Sequence, residues 1–423
     1  MKNNTSRRTG MVVDTIGLFY AATISREEPS TFYISVHLKE KLEPELLQQA
    51  LDDLIRRLPF LSVRLRRGFF RYYNELLEQG PRIVPVGDSH TFSSFHQEGP
   101  GHLLRVLYGE RHFTVETSHI LCDGRALAKI TASLLTRYFE LLGMAVDKSE
   151  VIDCARSPRQ EETEDAFASH LAGLPKQKAK EIFSRYIAEQ KETPIKPAYK
   201  FGHSRPTLSR VVTKRFDLDK IKAVAKSHGA TVGEYILAHI FKTIAMERAA
   251  RGSGGPITAM LPVDYRGFLS SGTIRNCAQG MVIVMPETDD FSQALKQLRP
   301  QFAKIDADWA SDNAVGMAKI TGLIRILPSP IKKLLLKALM GSANKGLSTM
   351  FSNLGAVGLP AEVGERVDML EFAICPTTHE PYVFSCITTG NVLAFTATVG
   401  AEGCDIADMV MQALESAVST QGD

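Results

Sequence analysis

His119 and Asp123 stand at an H-x-x-x-D spacing, closed by Gly124, in the stretch Phe113-Thr-Val-Glu-Thr-Ser-His-Ile-Leu-Cys-Asp-Gly124. The chemistry this spacing suggests is general-base catalysis. An imidazole with an ordinary pKa of about 6.5 takes a proton from a hydroxyl or an amine near neutral pH. Asp123 either orients the ring or braces the turn through an arginine elsewhere, and spacing alone does not separate the two. If the four residues coil, positions i and i+4 share a face and the carboxylate reaches the ring. If the chain turns at Gly124, it points away. A packed histidine beside a helix-capping aspartate is the commoner source of so short a pattern.

The flanking residues say which elements must hold this pair. Phe113, Val115 and Thr117 alternate with Thr114, Glu116 and Ser118, the period of two of a strand with one buried face. Ala126, Leu127, Ile130, Leu134, Leu135 and Phe139 then recur at helical spacing. The segment between is a strand-to-helix turn, a place where backbone presents a side chain to a cleft. Gly124 is expected to supply freedom of φ at the bend.

Ser118-His119-Ile-Leu-Cys-Asp123-Gly124 resembles the H-H-x-x-x-D-G motif of a large acyltransferase superfamily. Its members include chloramphenicol acetyltransferase, carnitine acyltransferases, plant alcohol acyltransferases and peptide-synthetase condensation domains. Ser118 replaces the first His; His119 matches the second, which is the catalytic one in the family. Leu261-Pro-Val-Asp-Tyr-Arg266, followed by Arg275-Asn276, resembles the P-x-x-x-R … N signature of the second half. Ser352-Asn353-Leu354-Gly355 resembles the S-N-x-G stretch of the alcohol acetyltransferase branch. The likeness is nearest to that branch and to the polyketide-associated acyltransferases.

The resemblance implies an α/β chain of α+β type: two chloramphenicol-acetyltransferase-like lobes of mixed sheet and helices with a tunnel between them. It implies acyl transfer from a thioester to an alcohol or amine, with His119 as base and no covalent intermediate. Asp123 is then chiefly structural, salt-bridged to Arg266, with Arg275 as the substitute. Asn276, Ser352 and Asn353 become candidate oxyanion or substrate contacts. No bound cofactor or metal is implied. The donor is acyl-CoA, acetyl-CoA by default, or an acyl carrier protein, which would be a separate partner. Two other readings remain open. Ser118 motivates a degenerate homologue that binds a ligand without turnover. Metal-assisted hydrolysis through His119 and Asp123 lacks a third ligand at a recognisable spacing.

Bulk properties bound these readings. A chain of 423 residues suggests two domains, placed at 1–150 for an N-terminal lobe carrying the motif and 211–423 for a C-terminal lobe. Residues 151–210, rich in charge and proline, form a crossover with one or two helices. Hydrophobic content of 44 % and charged content of 23 % are those of a globular protein, and a net charge of +3 gives no electrostatic case for nucleic acid. Cys122, Cys154, Cys277, Cys375, Cys386 and Cys404 fall at no paired spacing, which favours reduced thiols and a cytoplasmic location. Cys122 is expected to pack beneath the turn. A monomer suffices for a self-contained two-lobed chain. Arg7 and Arg8 before an apolar run faintly imitate a signal peptide, but Asp14 interrupts it. A disordered ten-residue leader and then a first strand are expected.

Other elements follow from local signals. Leu103–Tyr108 and His112–Ser118 flank Gly109-Glu110-Arg111 as a hairpin. Thr231-Val-Gly-Glu234 has the form of a capping box. Ser348–Leu354 reads as a strand leading into the S-N-L-G turn. Glu371–Cys375, Tyr382–Thr388 and Val392–Val399 read as a closing meander. Leu323–Met340 carries an apolar stripe of Ile331, Leu334, Leu335, Ala338 and Leu339 with lysines beside it. The stripe is expected to pack on the protein's own core; the alternative is contact with an anionic membrane.

Overall fold

The computed structural model describes residues 10–25, 28–87, 92, 101–192, 195–202, 209–286, 288, 290–401 and 405–419. Residues 1–9 of the expected ten-residue leader and Cys404 lie outside them. The fold is mixed α/β, and the described residues form three sheets. A five-stranded sheet runs, in spatial order, Val367–Ile374, Thr31–Leu38, His112–Ser118, Leu104–Tyr108 and Ile83–Pro85. A six-stranded sheet runs Ala278–Val284, Thr258–Asp264, Thr349–Ala356, Tyr382–Thr389, Val392–Val399 and Arg210–Asp217. Gly10–Val12, Tyr72–Leu76 and Val63–Arg67 make a small third sheet.

The motif strand His112–Ser118 lies inside the first sheet, antiparallel to Thr31–Leu38 with Phe32 opposite Thr117. Buried between two partners, it has its backbone polar groups satisfied and its end fixed. The expected hairpin is present: Tyr108 pairs with Phe113, and Gly109 N–H donates to His112 O at 2.8 Å. The helix Gly124–Leu141 packs Leu127, Ile130, Leu134 and Leu135 into the first core. A second core forms under the six-stranded sheet, where helix Val232–Ala250 starts in the expected capping box of Thr231 and Glu234.

Several expectations are corrected. The strand Val367–Ile374, from the second half of the chain, pairs antiparallel with Thr31–Leu38 in the first sheet. The expected closing meander therefore does not form among the described residues. Tyr382–Thr389 and Val392–Val399 pair with each other in the other sheet. Alternation of side chains identifies a strand and is silent about its neighbour. The S-N-L-G residues lie within the strand Thr349–Ala356, where a register irregularity between Asn353 and Ala356 and a φ of 62° at Gly355 replace the expected turn. The expected first strand is present but short, Gly10–Val12, and the rest of the apolar run forms the helix Gly17–Thr23. Ala307–Arg325 is a further helix.

The largest correction concerns helix Ser329–Lys345. Its apolar stripe faces outward: Leu334 is 73 % exposed, and Ile331, Leu335 and Leu339 are exposed as well. The residues it buries are Ser329, Lys332 and Leu336. An amphipathic helix was expected to turn its stripe inward; this one turns it to solvent.

Candidate active site

Ser118 ends the motif strand by accepting from Ile120 N–H at 3.3 Å through its hydroxyl and from Leu121 N–H at 2.9 Å through its carbonyl. His119 N–H donates to Ser30 O at 2.9 Å. Asp123 caps the following helix by accepting from Ala126 N–H at 2.9 Å. Gly124 takes no left-handed φ, so conformational freedom is not why a glycine stands there. A Cβ at that position would lie 3.0 Å from Leu354 Cδ2 and 3.4 Å from Phe372 Cζ. The missing side chain is room for the strand Thr349–Ala356 to pack on the motif.

The Asp123 carboxylate serves the turn and does not bond the imidazole. Arg266 Nη2 donates to its two oxygens at 3.1 and 3.0 Å, and Cys277 N–H donates to Oδ2 at 2.6 Å. Arg266 is held in turn by Asp264 Oδ1 at 2.8 Å and by the carbonyls of Thr273 and Arg275 at 2.8 and 2.7 Å. This is a brace between the two halves of the chain. Arg275, the expected substitute, directs its guanidinium elsewhere: Nε lies 3.3 Å from Asp14 Oδ2, and Nη2 donates to Val12 O at 2.9 Å.

Asp14 is the residue that orients the histidine, through Asn276. The Asn276 amide nitrogen donates to both Asp14 carboxylate oxygens at 3.2 Å and to His119 O at 3.0 Å. The amide oxygen is thereby turned toward the imidazole, 3.0 Å from His119 Nδ1. An amide oxygen only accepts, so Nδ1 carries the proton and Nε2 keeps its lone pair. Among the described residues Nε2 has no hydrogen-bond partner. Since both Asn276 amide hydrogens are committed, this residue positions the ring and is not a free oxyanion donor.

Two aromatic rings complete the mount. Tyr20 stacks on the imidazole with centroids 4.2 Å apart and planes 12° apart, and Phe32 tilts against it at 4.9 Å. Tyr20 belongs to the helix Gly17–Thr23, which approaches the motif so closely that a Cβ on Gly17 would lie 2.7 Å from Ile120 O. Gly17 N–H donates to Asp14 Oδ1 at 2.6 Å. Burial lowers the His119 pKa below its ordinary value, against the upward pull of the Asp123 charge and the Asn276 bond. Burial pushes the Asp14 carboxyl up to about 6, opposed by the Arg275 charge. The Cys122 thiol is buried under the turn and pushed well up by desolvation, which makes it a packing residue and a poor nucleophile.

Ser352 and Asn353 lie on the strand Thr349–Ala356, whose Leu354 packs on the motif at Gly124. Ser352 is buried within its strand, while Asn353 accepts from Gly355 N–H at 2.8 Å and lines a cavity of about 400 Å³ with Thr231, Leu261 and Pro262. A second cavity of about 300 Å³ lies behind the motif, between Arg125, Lys129, Arg266 and Val357. Among the described residues no group of three or more His, Cys, Asp or Glu side chains is placed to hold a metal ion. Asp14 and Tyr20 are the residues that sequence reasoning did not find. The signal available was a buried-type acid inside an apolar run, which reads as an interruption until the fold brings Asn276 to it.

This architecture is that of the condensation-domain and chloramphenicol-acetyltransferase-like folds. No protein-family profile and no curated protein sequence matches the chain. Among solved structures, polyketide synthase associated protein 5 from Mycobacterium tuberculosis matches 97 % of this chain and 98 % of its own with a TM-score of 0.63 and 15 % identity. The epimerization domain from the third module of tyrocidine synthetase B matches 97 % and 96 % with a TM-score of 0.62 and 11 % identity. The nonribosomal peptide synthetase FmoA3 matches over 99 % of this chain but only 45 % of its own, with a TM-score of 0.62 and 15 % identity. Against that protein the chain spans less than half the length.

Proposed function

We propose that this protein is an acyltransferase of condensation type, in which His119 is the general base for acyl transfer from a thioester to an alcohol or amine. The observation that carries the reading is the Asp14–Asn276–His119 chain, which leaves Nε2 as a neutral acceptor in a ring clamped by Tyr20. Nε2 takes the proton from the acceptor hydroxyl or amine. The freed oxygen or nitrogen attacks the thioester carbonyl, the C–S bond breaks, and the thiolate receives the proton from Nε2. A fixed tautomer and a depressed pKa keep the ring in its basic form at neutral pH. The donor is an acyl-CoA or an acyl group on a separate carrier protein.

The fold by itself does not choose the reaction, since an epimerization domain and a polyketide synthase associated protein share it. The test is thiol release from acetyl-CoA and longer acyl-CoAs, with and without a panel of alcohols and amines, beside His119→Ala. Acceptor-dependent release that disappears in the variant is expected. Silence with every CoA ester directs the assay to acyl-loaded carrier protein, and silence there too would sink the catalytic reading.

A further inference from the structure

The outward stripe of helix Ser329–Lys345 is one part of a larger apolar surface. The turn between Val63–Arg67 and Tyr72–Leu76 brings Phe69 and Phe70 beside the start of that helix. Ser329 N–H donates to Phe69 O at 2.7 Å, Ser329 Oγ to Gly68 O at 2.6 Å, and Lys332 Nζ to Phe70 O at 3.0 Å. Lys332 is 1 % exposed and also donates to Arg325 O, so a buried ammonium fastens the turn to the helix. Phe69 is then 69 % exposed and Ile326, at the end of the preceding helix, 73 % exposed. Phe69, Phe70, Ile326, Ile331 and Leu334 are large apolar side chains from three segments that these contacts hold together. A monomer rarely leaves so many unpaired without a use for them.

The charge of the same segments names the occupant. Residues 313–361 contain no Asp or Glu, and neither do residues 64–74. The polar residues beside the patch include Lys333, Lys337, Arg67 and Arg71. Arg67, Arg71 and Lys337 are exposed. An apolar surface whose own segments carry cations and no acids fits a bilayer carrying anionic lipid, where rings and leucines enter the acyl boundary and the cations meet the headgroups. No described helix is long and apolar enough to cross a membrane, so the contact is peripheral.

We propose that this face docks on anionic membranes. The patch is joined to the candidate active site. Its helix packs on Gly17–Thr23, with Thr23 Oγ1 3.6 Å from Met340 Sδ, and that same helix carries Tyr20 against His119. A cavity of about 650 Å³ lined by Val12, Val13, Phe70, Arg71 and Ile326 lies between the patch and the segment that holds Asp14. Docking therefore sets this cavity against the membrane surface.

The test is flotation of the full chain with vesicles of phosphatidylcholine alone and of phosphatidylcholine containing roughly one third phosphatidylglycerol, at low and high salt. Binding to the anionic vesicles, weakened by salt, is expected. Lys333→Gln with Lys337→Gln lowers it by roughly fivefold per charge. Ile331→Ser with Leu334→Ser lowers it by roughly tenfold or more, while circular dichroism remains as in the wild type. His119→Ala binds vesicles as the wild type does, so loss of catalysis and loss of docking are read separately. Absence of binding to anionic vesicles overturns the proposal. So does equal binding by the Ile331→Ser, Leu334→Ser protein, or a wild-type dimer in light scattering that this double variant abolishes, which would assign the face to a second copy.

Discussion

Two buried aspartates flank the turn at His119, and each pairs with an arginine of the second half of the chain. Asp123 meets Arg266 at 3.0 Å; Asp14 meets Arg275 at 3.3 Å. Their work differs. Asp123 spends its acceptor positions on Arg266, the Cys277 N–H and the start of its own helix, so it holds the backbone in place. Asp14 grips the Asn276 amide, and that amide fixes which imidazole nitrogen holds the proton. The carboxylate close to the histidine in sequence is thus the structural one, and the carboxylate that governs its chemistry lies far upstream. Chain proximity and chemical coupling are separate properties even within one turn.

The first way to break this contrast is to remove the proposed base. His119→Ala should lower turnover by about 10³-fold, the scale of a lost general base, with the thermal transition unchanged. Asn276→Ala should come next, lowering kcat by about 10²-fold as tautomer control is lost, with KM nearly constant. A fall in KM-related binding with kcat intact would instead make Asn276 a substrate contact.

Asp123→Asn tests the other arm. It takes one of two carboxylate partners from Arg266, which keeps Asp264, and sets an amide nitrogen against the Arg266 or Cys277 donors while still capping the helix, so a stability loss of about 2 kcal/mol is expected. Denaturant unfolding should register that loss, with activity falling in step with the folded fraction. Asp14→Asn should do the reverse, lowering activity far more than its stability change explains.

The pH dependence sharpens the same distinction. Burial holds the His119 pKa below 6.5, so the acid limb of kcat/KM should inflect below that value. Asp14 titrates near 6, so a second proton steepens the limb, and Asp14→Asn should return its slope toward one. For stability the signs oppose. His119 binds protons more weakly when folded, so its contribution is present at neutral pH and lost as pH falls below 6.5. Asp14 binds its proton more tightly when folded, so raising pH from about 3.8 to about 6 costs stability.

What the sequence made legible follows the range of each interaction. His119, Asp123 and Gly124 stand within one turn, and the strand and helix around them announce themselves by period. Arg266 was legible through a resemblance in its own short segment. Asp14 and Tyr20 were not, because their meaning depends on Asn276 and His119 arriving from remote parts of the chain. The helix Ser329–Lys345 was legible as amphipathic, but period does not say which side faces the core; a buried Lys332 decides that. The strand Val367–Ile374 was legible as a strand and not as a member of the first sheet, since its partner Thr31–Leu38 lies at the other end of the sequence.

Gly124 gives the smallest and most local test, because conformational and packing explanations predict different rescues. If the glycine served backbone freedom, alanine there would be strained whatever surrounds it. Its φ is not left-handed, and the nearest atom to an added Cβ is Leu354 Cδ2 at 3.0 Å. Gly124→Ala should therefore cost about 1–2 kcal/mol by overpacking. Adding Leu354→Ala, which clears that methyl but opens a cavity of its own, should cost less in the Gly124→Ala background than in the wild type. The non-additivity of the two changes in a double-mutant cycle of unfolding free energies measures the contact directly. Additive costs would mean that Leu354 does not press on the motif at this point.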